Sequence, residues 1–176
     1  GGVLAIVVAG FLRDWSDWVG VRRQYCGARG KFGNCQVCVS GALIADGRTW
    51  PLVFDLYAPV AWNDDAPRRA AAGIPATLQF REKWRIALAQ VRAILHAGFT
   101  ITGVVVDADY GSNAQFRAGL ERLGLSYGVA IRGDVSCTVV GVVGTQPASA
   151  IAQSAPDAAW ETVTWGTGTA GPLTAR

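Results

Sequence analysis

Apolar residues fill nearly every position from Val3 to Phe11, the pattern of a strand covered on both faces. Asn34 to Ile44 and Trp50 to Tyr57 are two further strand-like runs, joined by the turn Ala45-Asp46-Gly47-Arg48. Together the three predict an antiparallel meander. From Phe80 to Ala97 the period changes: Trp84, Leu88, Val91 and Leu95 recur at helical spacing and the run stops at Gly98. Thr100 to Val106 then reads as a buried strand and Ser126 to Ile131 as another. Between them, Ser112 to Leu123 reads as a helix with Ser112 as N-cap and Gly124 just past its end. The polar, Pro-containing stretch from Pro59 to Pro75 breaks both periods and predicts a surface insertion over about residues 58–79. Cys137 to Val143 is a further apolar run. Past Thr145 the chain turns rich in Ala, Thr, Gly and Pro, with a short helix predicted over Ala148 to Ser154 inside an irregular segment of about 144–176.

Three strands, helix, strand, helix, strand is the order of an α/β domain built on a mixed sheet with flanking helices. Ribonuclease-H-like folds have that order, so residues 1–176 read as a single ribonuclease-H-like domain. Such folds set acids on the first strand and at the end of the fourth, side by side. Asp107 closes the fourth strand here, in the run Val104-Val105-Val106-Asp107-Ala108-Asp109-Tyr110-Gly111.

Composition narrows the setting. With 176 residues, 51% of them hydrophobic and 16% charged, the chain is long enough for one well-buried domain. No apolar run approaches the roughly 20 residues that span a bilayer, so a soluble, cytoplasmic protein without membrane contact is expected. Gly1 to Gly10 lacks the basic start and cleavage pattern of a secretory signal, and the absence of Met points to a processed or trimmed start. A net charge of +3 argues only weakly for an anionic partner. Arg22, Arg23, Arg29 and Lys31 form the one local cluster, read either as a solvated hairpin tip or as phosphate contacts. Cys35 and Cys38 have dithiol spacing, but residues three apart on a strand face opposite ways, and Cys26 and Cys137 stand apart from them. Buried, reduced thiols follow. The one His, His96, reads as a helix end, and neither a metal nor a cofactor is expected.

Several blocks carry a resemblance. Gly20 to Lys31, Asn34-Cys35-Gln36-Val37, Asp55-Leu56-Tyr57-Ala58-Pro59, then Trp62, Asp64 and Arg68 to Pro75 come first. Phe80-Arg81-Glu82-Lys83, Asp107 to Gly111 and Ala159-Trp160 to Gly171-Pro172 follow in the same order. These blocks resemble bacterial insertion-sequence transposases of the DDE endonuclease superfamily. The family carries Asp-Asp-Thr-Gly-Phe on its first strand, the first Asp being a metal ligand. This chain has Val7-Val8-Ala9-Gly10-Phe11 there. The family's third acid, a Glu, falls beyond the point matching Arg176. The resemblance therefore implies Asp107 as the survivor of three acids, and one carboxylate does not organise two divalent ions.

Neighbouring changes run toward apolar residues: Trp15 and Trp18 follow the Gly-Phe, and Trp165 precedes the Gly-Pro. If these surround Asp107, an aromatic-walled pocket replaces a polar cleft. The first expectation is thus a transposase-derived protein repurposed as a metal-independent cyclase or isomerase acting on an apolar small molecule, in secondary metabolism. Asp107, Asp109 and Tyr110 would supply acid–base help, and Val7, Trp15, Trp18 and Trp165 would hold the substrate. Helix-start and turn chemistry is the plainer role for Asp109 and Tyr110. The alternative is a catalytically dead remnant that binds DNA through Arg22, Arg23, Arg29 and Lys31, as a regulatory protein. A homo-oligomer with Trp residues at its interface is a further expectation.

Overall fold

The computed structural model describes residues 1–14, 18–75, 77–169 and 171–175, with only the backbone of residues 28 and 165. The chain divides into two compact units, Gly1–Ala130 and Ile131–Arg176. Among the described residues no helix is long and apolar enough to cross a membrane.

The first unit is built on a six-stranded mixed sheet. Strand β1 (Gly2–Leu12) pairs antiparallel with β3 (Lys31–Ala45), and β3 pairs antiparallel with β4 (Arg48–Tyr57). The predicted meander is therefore present. Its turn places Asp46 and Gly47 at φ 51° and 70°, and the glycine meets that left-handed backbone without the steric cost other residues carry. On its other edge β1 pairs parallel with β5 (Ile101–Val106), which pairs parallel with β6 (Tyr127–Val129). An additional strand, β2 (Arg22–Cys26), lies along the first residues of β3, so the Arg22–Arg23 pair and Lys31 belong to strands and, of the four cations, Arg29 lies in the turn. β2 and β4 share the edge of β3 opposite β1, pairing with residues 31–35 and 37–45 in succession.

Between β4 and β5 lie α1 (Val60–Asn63), α2 (Ala66–Ala71) and α3 (Lys83–His96). Ile86, Val91 and Ile94 of α3 meet Leu4, Ile6, Val39 and Val104 of the sheet in the main core. Burial of each such side chain stabilises the fold by roughly 2 kcal/mol. Gln90, also buried, donates through Nε2 to the carbonyl of Val39 at 2.9 Å and to Asp55 Oδ2 at 2.7 Å, tying α3 to the sheet. His96 ends α3, as its position predicts. The insertion is not wholly a surface excursion, because Trp62 is buried and donates its indole N–H to the carbonyl of Val21 at 2.9 Å.

After β5 the chain forms α4 (Ala108–Gly111) and α5 (Ala114–Arg122). The cap of α5 is Asn113, whose side chain accepts from the Phe116 N–H at 2.9 Å, and Ser112 instead closes α4. Gly124 follows with φ 69°, as expected of the residue past a helix end. Alternate sheet positions Val7, Phe11, Phe54 and Val105, on the face away from α3, are exposed.

The second unit holds two small hairpins, β7 (Ser136–Cys137) with β8 (Gln146–Pro147) and β9 (Val163–Gly168) with β10 (Gly171–Ala175), plus α6 (Ala148–Ser154). The helix matches its predicted span. Most of the apolar run from Cys137 to Val143 is loop, with Val140 and Val143 fully exposed, because among the described residues Cys137 alone of the run finds a strand partner.

Candidate functional site

Parallel pairing of β1 and β5 fixes the site. Leu4, Ala5 and Ile6 stand opposite Val104, Val105 and Val106, so one further step sets Val7 beside Asp107. Both are exposed, Val7 at 49%. Asp107 has extended backbone (φ −76°, ψ −179°) and caps α4, its Oδ1 accepting from the Asp109 N–H at 3.0 Å. Asp109 is exposed on the first turn of that helix. A pair of divalent ions needs several oxygen ligands about the same point. Here one carboxylate faces a valine, and among the described residues no group of three or more His, Cys, Asp or Glu gathers to hold an ion. The residues present do not fit a two-metal centre.

Tyr110 points away from this strand end. Its ring is buried in the main core against Phe116, centroids 5.7 Å apart, and its hydroxyl finds no hydrogen-bond partner among the described residues. Burial, with Asp107 and Asp109 adding to it, pushes the phenol well above its ordinary range. It is a packing residue where the sequence placed acid–base help. Burial also raises Cys35, Cys38 and Tyr57. The folded chain therefore keeps protons that the unfolded chain loses as pH climbs through the ordinary thiol value of 9.0. Stability is fully present below that pH and falls above it. Urea midpoints taken from neutral pH upward should be flat and then decline; a midpoint that rises on the alkaline side contradicts the burial of these groups.

Of the three tryptophans expected at the site, Trp15 and the Trp165 side chain lie outside the described residues, and residue 165 belongs to β9 of the second unit. Trp18 is 53% exposed, and the Arg13 guanidinium lies over its ring, 4.8 Å from the centroid. Arg13 is six residues beyond Val7, up to about 20 Å of extended chain. Trp18 is thus set on Arg13, and the structure does not bring it to Asp107. An apolar cavity of about 440 Å³, lined by Ile131, Cys137, Val139, Ile151, Ala155 and Trp160, lies within the second unit.

The expected cations gather on one arm. β2 and the start of β3 form a two-stranded hairpin closed by a 3-10 turn at Gly27–Arg29. Its inner side packs Cys26, Cys35 and Val37 into a small second cluster with Val8 and Tyr57. Arg22, Arg23, Arg29 and Lys31 are exposed on it. Sequence reasoning missed Tyr25 and Phe32, which are exposed on the outer side and pack edge to face, centroids 5.8 Å apart. The alternation of Arg23 and Tyr25 was the available signal. No Asp or Glu occurs from Trp18 to Ala45.

A family model described as DDE superfamily endonuclease matches residues 1–172. The chain is also 35% identical, over 113 residues and 64% of its length, to a probable transposase for insertion sequence element IS701 of Microchaete diplosiphon. The matched stretch covers 27% of that protein. No solved structure matches the chain.

Proposed function

The chain belongs to the DDE superfamily endonucleases, and on that premise we propose that it is a transposase-derived protein that holds DNA without cutting it. The juxtaposition of Val7 with Asp107 carries this reading: a hydrocarbon stands where the resemblance calls for the first metal-binding acid. Retention of DNA rests on the arm, whose four cations lie in a stretch free of acids. Long-range attraction for a polyanion needs only that imbalance.

Two measurements test it. Incubated with supercoiled plasmid and Mg²⁺ or Mn²⁺, the chain should leave the plasmid intact; metal-dependent nicking overturns the loss of cleavage. Binding to a labelled duplex should weaken steeply with salt, and Arg22→Ala with Arg23→Ala should lower the log–log slope by about 2, near 0.9 per phosphate contact. Negligible binding to both duplex and single-stranded DNA at low ionic strength sinks the DNA reading.

A metal-independent cyclase or isomerase for an apolar small molecule stands second. It draws on Val7, whose exposed hydrocarbon beside Asp107 is an apolar surface next to a carboxylate. The open position of Asp107 ranks it lower, since such catalysis depends on excluding water. An organic ligand that co-purifies with the chain and is released by mutation of Val7 would reverse the order.

A further inference from the structure

We infer that the outer face of the arm is a stacking site for single-stranded DNA, with bases on Tyr25 and Phe32 and phosphates on the surrounding cations; this rests on the DNA-holding reading above. Register puts Tyr25 opposite Phe32 and Arg23 opposite Asn34, so the four side chains share one face of the hairpin. Tyr25 is 54% exposed and Phe32 65%, two large rings held in contact with each other and turned to solvent. They have no room to turn inward, because the inner face is filled by Cys26 and Cys35, both fully buried. Gln24 locks the ladder from that side by donating to the carbonyl of Cys35 at 2.9 Å.

The polar surround completes the platform. Arg23 is one same-face step from Tyr25, about 6.8 Å along an antiparallel strand. The backbone N–H of Arg13 donates to the Asn34 carbonyl at 3.0 Å, which brings Arg13 and the Trp18 ring beneath it to the base of the arm. Arg29 stands at the turn, and Lys31, exposed and paired with Cys26, opens β3 beside it on the inner side. Exposed rings among cations, with no acid between Trp18 and Ala45, complement a strand that offers both base faces and phosphates. A duplex hides its base faces and offers mainly phosphates. A second copy of this chain would bring the same cations against these, and an uncharged apolar partner would leave them unused.

The test compares a fluorescein-labelled oligothymidylate with a duplex of equal length, by anisotropy at low salt, for the wild-type chain and for Tyr25→Ala with Phe32→Ala. The single-strand affinity should fall about 10-fold or more while the duplex changes less than about 3-fold. Tyr25→Phe, which keeps the ring, should bind the single strand like the wild type. Photocrosslinking of the wild-type chain to a bromouracil-containing strand should map to residue 25 or 32, a readout independent of whether the alanine variants fold. Equal losses on both probes, an unchanged single-strand affinity, or crosslinks elsewhere overturn the stacking site. Duplex binding without single-strand binding sinks this inference and leaves the proposed function standing; failure to bind either probe sinks both.

Discussion

Replacing Gly111 by alanine is expected to cost about 3 kcal/mol of stability and to loosen the strand end that presents Asp107. A Cβ at Gly111 would lie 1.9 Å from the Ala130 carbonyl oxygen and 2.8 Å from the Val129 Cβ, inside the distance real carbons tolerate. Neither neighbour is a flexible side-chain tip. The Ala130 N–H donates to the Val106 carbonyl at 3.1 Å, and the Gly111 N–H donates to the Asp107 carbonyl at 2.8 Å. Alanine must therefore push α4 off the end of the β5–β6 pair, taking the Asp107 cap with it. Urea unfolding of the variant is the measurement, and a midpoint equal to that of the wild type refutes the close approach of α4 to the sheet.

Trp62→Ala should be at least as costly, about 4 kcal/mol for a fully buried tryptophan. Trp62 is 1% exposed, its indole donates to the Val21 carbonyl, and the Arg68 guanidinium lies 3.8 Å from its ring centroid. Trp62→Phe separates the two contributions: it keeps most of the apolar volume but leaves the Val21 carbonyl without its indole donor, a loss of about 1–3 kcal/mol. Val21 immediately precedes Arg22, so both variants should also weaken duplex binding. Intact binding in a folded Trp62→Phe variant would show that the arm does not depend on this anchor.

Long apolar runs made most of the first unit legible. Val3 to Phe11 and Ile101 to Val106 are strands because few other structures bury so many consecutive β-branched and small apolar residues. β2 was not legible: Arg22-Arg23-Gln24-Tyr25-Cys26 has no apolar stripe, and its extended form depends on pairing with β3. The four-residue α4 is too short for any period to register, and its presence moves the next cap from Ser112 to Asn113, two residues that cap equally well in isolation. Trp62 is the one aromatic residue between Tyr57 and Phe80, and its partner at Val21 lies 41 residues away in sequence.

The candidate site divides the same way. Val7 could be matched with the missing acid only through the family resemblance, and the β1–β5 register independently sets it beside Asp107. Tyr110 follows Asp107 closely in sequence, yet the helical turn that begins at Ala108 swings its ring into the core. Trp18 lies only a short loop from β1, but that strand runs on from Val7 to Leu12 before the chain turns.

Among the described residues, Val8 and Tyr57 link the small cluster of Cys26, Cys35 and Val37 to the main core. A two-stranded hairpin with so little burial of its own is marginal in water. Its amides should exchange with solvent through a local opening that the α3-covered strands do not share. The arm can therefore change shape, or change sequence, at small expense to the rest of the fold, which makes it the part of the molecule freest to acquire new specificity.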